Sequence, residues 1–521
     1  MPSNENLDAR SRPSTNRTGQ GTYEDQCDHL SLAQKLPVEL LTTIFSLYSP
    51  SLSVTHSHVF PTTLALSQTC SYWRQVVLST PKLWSNLSLN LTYDKNDVAI
   101  LVDLHLARSE PLPLTLRVDG SKLNDHGEQE LVNRLSSYGW SVLMTLFNAH
   151  TRWSNASFNL HWDVLDVNLI DSSVKLNASA FPILHTLSVS WQNDRELRIS
   201  NRLFHIWHNL PVLQSLQIDS YLPYFPFNLN TLSKIVVTKC RLCAEVRFLL
   251  ARCKNLSDAT FTMDAYPDDA DLDVDVFPVN TLHSLTLNFT AMEVGCNLLS
   301  SLTLPRLTTL DLSSQYGDVD QMTLVKRVFR DMLSRSSCQL TELRLTGRFG
   351  TDLDLIEILS MTPTVISLAL NVRSAYGGYV TDKLFEMLSF DSTVADISTR
   401  NEAILPCLAR FHLTMIQSDG STSFAPSKDG YTYRAVLPAL PDPKAILSMV
   451  QSRFSFDFPS GRTRLECFAL SVSILLEGTR YKGNDWAQLF GSTAESSLRA
   501  LARDGLQLEL NIKEGPAVRW S

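Results

Sequence analysis

The sequence predicts an α/β fold: a small all-α helical head followed by a long, curved α/β solenoid of strand–helix repeats. Three observations predict it. A Leu-x-x-Leu-x-Leu strand template recurs from Leu184 onward, the segments between copies carry apolar residues at helical spacing, and residues 36 to 84 show helical periodicity ahead of the repeats.

Composition frames what such a chain can do. Lys and Arg total 45 against 53 Asp and Glu, a formal charge of -8 in 521 residues that are 19% charged and 44% hydrophobic. That is the balance of a folded chain rather than a disordered or polyionic one. The pI near 5.9 gives no electrostatic reason to expect nucleic acid as a partner, since phosphate binding needs clustered Lys and Arg. Apolar runs such as Val365 to Leu370 are strand-sized, short of the ~18 residues a membrane-spanning helix needs, so no membrane partner is expected. Residues 1–30 are polar and lack the apolar segment of a secretory signal, and read as a disordered leader. Nine cysteines, sparse and odd in number, fit a reducing compartment, cytoplasm or nucleus, better than a disulfide framework.

Residues 31–86 read as a separate head. Leu36-Pro37-Val38-Glu39-Leu40-Leu41-Thr42-Thr43-Ile44-Phe45 predicts a short amphipathic helix with Pro in its first turn, where a missing N–H costs nothing. A second helical stretch surrounds Cys70-Ser71-Tyr72-Trp73-Arg74, and Thr80-Pro81-Lys82-Leu83-Trp84 closes the unit. This stretch resembles the F-box, a three-helix motif that opens Leu-Pro-x-Glu-Leu-Leu-x-x-Ile-Phe and ends Cys-x-x-Trp-Arg followed by Leu-Trp. Leu36, Pro37, Glu39, Leu40, Leu41, Ile44, Phe45, Cys70, Trp73, Arg74, Leu83 and Trp84 match it position by position. One departure is the connection from Ser49 to Thr63, with its two prolines and Thr55-His-Ser-His58, longer than in a compact F-box.

The resemblance implies docking onto the Skp-type adaptor of an SCF ubiquitin ligase, and through it onto a cullin scaffold and a RING subunit. It implies Leu36, Pro37, Glu39, Leu40, Leu41, Ile44, Phe45, Trp73 and Arg74 as the adaptor-binding residues. So small a unit cannot bury a full core alone, which fits a module that shares its surface with a partner.

Residues 87–521 read as irregular leucine-rich repeats. Clear copies begin at Leu184, Leu213, Leu282, Leu307 and Leu340, and weaker ones at Leu232, Leu256, Val365, Leu408 and Leu465. Their starts are separated by 29, 19, 24, 26, 25, 33, 25, 43 and 57 residues, lengthening toward the C-terminus. Upstream, Trp84-Ser-Asn-Leu-Ser-Leu-Asn-Leu91 and Trp153-Ser-Asn-Ala-Ser-Phe-Asn-Leu160 echo each other on the same template. Between strands, helical spacing runs through Leu101, Leu104 and His105, through Leu131 and Leu135, through Leu324, Val328 and Met332, and through Leu384, Met387 and Leu388. The Asn or Cys expected after each strand occurs only as Cys240; Gln192, Tyr221, Asp264, Thr290, Gln315, Arg348 and Arg373 stand elsewhere, so irregular curvature is expected. An F-box ahead of such repeats resembles the expanded fungal F-box proteins.

Strand side chains alternate, so the residues between the leucines line the opposite, concave face. That face is small and hydroxyl-rich, without the basic stripe a phosphorylated target would need. Asp311, Arg344 and His412 are its most distinctive residues and the candidate substrate contacts, against the alternative of a solvated strand face.

Catalytic, dinucleotide and phosphate-loop motifs are missing from the sequence, so neither catalysis nor a cofactor is expected. Cys240, Cys243 and Cys253 lack a fourth ligand for zinc, His205 and His208 a third, and the acidic run from Asp264 to Asp275 lacks the glycine and glutamate of a calcium loop, so no metal is expected. The leading expectation is a substrate-recognition adaptor of an SCF-type ligase, with an unknown target protein held by the repeats. The alternative is a non-catalytic scaffold that binds the Skp-type adaptor without promoting ubiquitylation. An unrecognised enzyme is the third.

Overall fold

The computed structural model describes residues 36–47, 50–95, 97–124, 128–161, 164, 181–190, 207, 210–220, 227–264, 277–316, 322–347, 351–374, 380–390, 404–418, 440–455, 463–476 and 484–516. The expected leader at 1–30, His205 and His208, the acidic run beyond Asp264, and Gln192, Tyr221 and Arg348 lie outside them. Among the described residues no helix is long and apolar enough to cross a membrane.

Sixteen strands form one sheet, in an order that follows the chain except at its N-terminal edge, where a hairpin reverses it. The hairpin, β1 (Leu52–Val54) with β2 (Val59–Phe60), is antiparallel; every other neighbour pair in the sheet is parallel. Parallel neighbours need crossovers, and helices supply many of them, as α4 (Asp97–Arg108) does between β3 (Asn86–Asn90) and β4 (Leu114–Asp119).

The template sets the pairing of the sheet. The ten first positions, Leu184 through Leu465, are all buried. The second apolar positions pair directly across strands: Leu187 with Leu216, Leu216 with Ile235, Ile235 with Ala259, and so on to Phe411 with Phe468. On these strands the apolar column is buried while the alternate residues stay half-buried or exposed, as the pleat requires. The upstream echo is real as well, with Ala156 beside Leu187.

The same packing brings Trp153, Phe147, Phe158, Phe181 and Trp207 into one aromatic cluster, with neighbouring ring centroids 5.0 to 5.7 Å apart among Phe147–Trp153, Trp153–Phe158, Trp153–Phe181, Phe158–Trp207 and Phe181–Trp207. Four strands of this sheet have no template copy to announce them: β1, β2, β4 and the final strand Gln507–Pro516. Of the predicted helical spacings, one fails. Leu131 ends a short strand (Gln129–Leu131) paired with Ser121–Leu123, and the helix starts only at Ser137, where the Ser136 hydroxyl accepts from the Gly139 N–H at 3.1 Å.

The head is not all-helical. The long connection after the first helix supplies β1, which lies parallel to β3 with Leu52 beside Leu87 and Val54 beside Leu89. The Ser51 N–H donates to the Asn86 carbonyl at 2.9 Å and Thr63 Oγ1–H to the Leu83 carbonyl at 2.9 Å. An edge strand needs a partner or a cover, and this connection makes β1 the partner of β3. His105 of α4 is buried at the same junction, its ring 4.9 Å from Trp84 and its Nδ1–H donating to the Leu101 carbonyl at 2.7 Å.

Arginines clamp the other side. Arg453 is fully buried, donating to the carbonyls of Leu388, Leu405 (3.0 Å) and Ile404 (2.8 Å), with its guanidinium 4.5 Å from the Phe390 ring. It ties together three segments spread over the two longest repeat intervals. Arg335 does the same for Leu299, Ser300 and Leu302 carbonyls, and Arg152 for those of Leu106 and Leu112. Each lies at or beyond the end of one helix and satisfies the orphan carbonyls at the end of an earlier one.

Two outcomes follow from these buried groups. Arg453→Met leaves three carbonyls without charged donors and lowers stability by about 3 kcal/mol or more in urea denaturation, with Arg453→Lys recovering only part. Burial holds His105 below its ordinary value of 6.5, against the opposing pull of the Leu101 and Ser51 carbonyls. The unfolded chain therefore takes up that proton first as pH falls, so the stability His105 gives is present above 6.5 and lost below it. Urea midpoints measured downward from neutral pH should fall less for His105→Phe than for the wild type.

Candidate functional site

The first helix, α1 (Val38–Leu47), divides the expected docking residues between two faces. Its first turn closes when the Leu41 N–H donates to the Pro37 carbonyl at 3.1 Å, and Glu39 sits where the helix dipole favours a negative charge. Leu41 (1% exposed) and Phe45 (3%) face inward and form a core with Val76, Val77, Leu83 and Trp84. Phe45 meets Trp73 edge to face at 4.8 Å, and Trp73 Nε1 is buried without a hydrogen-bond partner among the described residues. Tyr72 Oη–H donates to the Leu36 carbonyl at 2.9 Å, holding Leu36 half-buried against this core.

The second helical stretch resolves into α2 (Thr62–Thr69) and α3 (Ser71–Leu78), the latter capped by Cys70 Sγ, which accepts from the Trp73 N–H at 3.4 Å. Arg74 bridges the two: its Nε–H donates to the Ser67 carbonyl at 3.0 Å while the residue stays exposed.

The opposite face of α1 is an apolar surface in water. Leu40 (51% exposed), Ile44 (43%) and Leu47 (79%) stand on it, with exposed Pro37 and Glu39 near its start, while Val38 (43%) is exposed at the helix end on the side of Leu41 and Phe45. Val38 and Leu47 were not among the residues singled out from the sequence. The signal for Leu47 was there, because Leu40, Ile44 and Leu47 fall off the stripe that Val38, Leu41 and Phe45 make and exceed what one buried stripe explains.

On the sheet, Asp311 and Arg344 are direct cross-strand neighbours and form an ion pair at 3.1 Å, with Glu342 at 3.6 Å on the other guanidinium nitrogen. Burial raises the Asp311 carboxyl above its ordinary range, and Arg344 opposes that shift. Arg344 is thus already engaged within the chain. His412 is exposed in the same row, separated from Arg344 by Ala369 and followed by Ala469. Arg410, two residues back on the same face, is also exposed and lies between Ser367 and Cys467. Nothing in the template singled out Arg410.

The next polar row satisfies itself over its first strands, as far as Asn288. Ser190 Oγ–H and Thr238 Oγ1–H donate to the two Asp219 oxygens at 2.8 and 3.1 Å, Asn288 Nδ2–H donates to Thr262 Oγ1 at 3.3 Å, and Asn159 Nδ2–H to Asp119 at 3.1 Å. Much of this hydroxyl-rich face is a cross-strand ladder.

The cysteines once weighed as metal ligands do not converge. Cys240 and Cys253 are core residues; burial pushes the Cys253 thiol up to about 12 and raises that of Cys240, while the Cys243 S–H points to the Val294 carbonyl at 3.7 Å. Among the described residues no group of three or more His, Cys, Asp or Glu side chains is placed to hold a metal.

Residues 33–90 match the family described as F-box-like, a span that covers the three helices, the β1–β2 hairpin and β3. No curated protein matches the chain.

The two faces of α1 predict opposite mutant behaviour in stability. Leu41→Ala and Phe45→Ala each cost about 2–5 kcal/mol of head stability, because both side chains are core. Leu40→Asp and Ile44→Asp leave the urea midpoint within about 0.5 kcal/mol of wild type, as expected for exposed positions.

Proposed function

We propose that the chain is the substrate-recognition adaptor of an SCF-type ubiquitin ligase: the head binds a Skp-type adaptor, and the long sheet holds a target protein. The F-box-like match over residues 33–90 supports the first half, since modules of that family bind Skp-type adaptors in SCF complexes. The observation that carries it is the exposed apolar face of α1, where Leu40, Ile44 and Leu47 lie together in water while Leu41 and Phe45 already fill the head's own core. Clustered apolar anchors of this kind give an interface its central energy. Pro37 and Glu39 flank the patch, Leu36 is held by Tyr72, Trp73 packs on the inward Phe45, and Arg74 ties α3 to α2 through the Ser67 carbonyl.

The second half reads the sheet as a leucine-rich-repeat solenoid and its polar face as the concave one. In support stand the register of the ten template copies and a helix-covered apolar column opposed by a polar one. Target contacts then fall on side chains that rise above the self-satisfied ladder: Arg344 with Asp311, and His412. Catalysis comes from the other subunits, with a cullin and a RING protein bringing the ubiquitin donor near the held target, so the chain's own part is proximity. Such a complex acts in the cytoplasm or nucleus. No observation favours the scaffold without ubiquitylation over this reading.

Co-purification tests it. Full-length chain brings down a Skp-type adaptor together with a cullin, and Leu40→Asp with Ile44→Asp loses both while remaining folded. Recovery of the adaptor without the cullin would favour the scaffold; retention of both by the double variant would remove α1 as the docking surface. Arg344→Glu breaks the Asp311 pair and faces Glu342 with a like charge, so it lowers target capture while adaptor binding stays unchanged. Undiminished ubiquitylation of the target would count against this face.

A further inference from the structure

The last strand of the sheet, Gln507–Pro516, is paired on one side with Cys467–Leu476, and among the described residues no strand lies along its other edge. The Gln507 N–H donates inward to the Glu466 carbonyl at 2.9 Å. Backbone groups alternate sides along a strand, so the N–H and C=O groups of Leu508, Leu510 and Ile512 point outward, away from the sheet. Their side chains continue the apolar column but are only half-buried, whereas the matching Leu470 and Leu413 on the strands before are buried. On the other face Gln507, Glu509, Asn511 and Lys513 are exposed, and neither Glu509 nor Lys513 has an ion-pair partner among the described residues.

We propose that this edge is a self-association surface, on which a second copy of the chain lays its own Gln507–Pro516 antiparallel about a two-fold axis. Such an arrangement is self-complementary and closes at two copies, whereas a head-to-tail extension of the sheet would not close. The register follows from the side chains. Continuing the apolar column across the axis requires facing residue numbers that sum to an even value. Centring the axis on Glu509 or on Lys513 opposes like charges, and centring it on Leu510 or Ile512 leaves Glu509 and Lys513 facing uncharged residues. Centring on Asn511 sets Glu509 opposite Lys513 on both sides of the axis and Leu510 opposite Ile512.

Leu510 and Ile512 then exchange the outward backbone hydrogen bonds. Glu509 and Lys513 occupy the non-hydrogen-bonded positions, where facing Cα atoms come within about 4.5 Å and side chains meet most closely. One strand thus supplies the free ladder, the half-covered apolar row and a charge pattern complementary to its own reverse.

Sedimentation equilibrium of the full chain over a hundredfold range of concentration tests this. The expected result is a dimer that Glu509→Lys and Lys513→Glu each weaken about tenfold or more, because each sets like charges face to face twice. The double variant Glu509→Lys with Lys513→Glu restores it, as the pairs are then merely reversed. Far-UV circular dichroism checks that all three variants stay folded. A wild type that is monomeric throughout overturns the proposal and leaves Lys513 as a guard against edge pairing. So do assemblies that grow beyond two copies, single variants that dimerise as well as wild type, or a double variant that fails to recover.

Discussion

Parallel pairing sets Leu187 beside Leu216, Leu216 beside Ile235, and so on to Phe468 beside Leu508, which makes a continuous column of one apolar side chain per strand. No single strand–helix unit can cover its own member of that column; the two neighbours do it. A slip of one residue anywhere would turn a strand's leucines to water, so the register is fixed by burial rather than by any loop. This also explains how intervals of 43 and 57 residues are tolerated: what matters is where the template lands, and the intervening chain is free to vary if its carbonyls are satisfied. Arg453, Arg335 and Arg152 answer that second requirement, each at a helix end.

A stack of this kind has two ends, and both are exposed edges in principle. At the N-terminal end the head supplies β1 and β2, and Leu104 of α4 in turn packs into the head's core beside Trp84. Head and sheet therefore share side chains as well as hydrogen bonds, and His105 is buried in that shared layer. A surface on α1 is held in fixed relation to the sheet by this junction, which a flexible tether would not provide. At the C-terminal end, helix Ser496–Arg503 packs against the last strand, yet Leu508, Leu510 and Ile512 stay partly uncovered.

The template made the column legible residue by residue, because burial enforces Leu-x-x-Leu-x-Leu on most strands that have neighbours on both sides. It failed where a strand is special. β4 keeps Leu114, Leu116 and Val118 but lacks the opening Leu-x-x-Leu step, the last strand has a neighbour on one side only, and β1 is three residues long within a proline-flanked connection. The docking helix was legible as an amphipathic stripe, but a linear pattern does not say which leucine faces inward. Leu41 and Phe45 went to the core because Trp73, Val76 and Val77 approach from that side, information held in α3 and not in α1. The clamping arginines left no trace in the pattern, since a carbonyl carries no sequence signature.

The polar face shows why a hydroxyl-rich column need not be a recognition column. Asp219 takes hydrogen bonds from strands on both sides, and Thr262 takes one from Asn288, so these groups meet their needs before any partner arrives. A partner displacing them would trade existing hydrogen bonds for new ones, with little net gain. Recognition energy is better sought where side chains rise clear of that ladder. Arg344 only partly qualifies, because Asp311 and Glu342 already neutralise it. Arg410 and His412 stand exposed on one strand between the short side chains of Ser367, Ala369, Cys467 and Ala469.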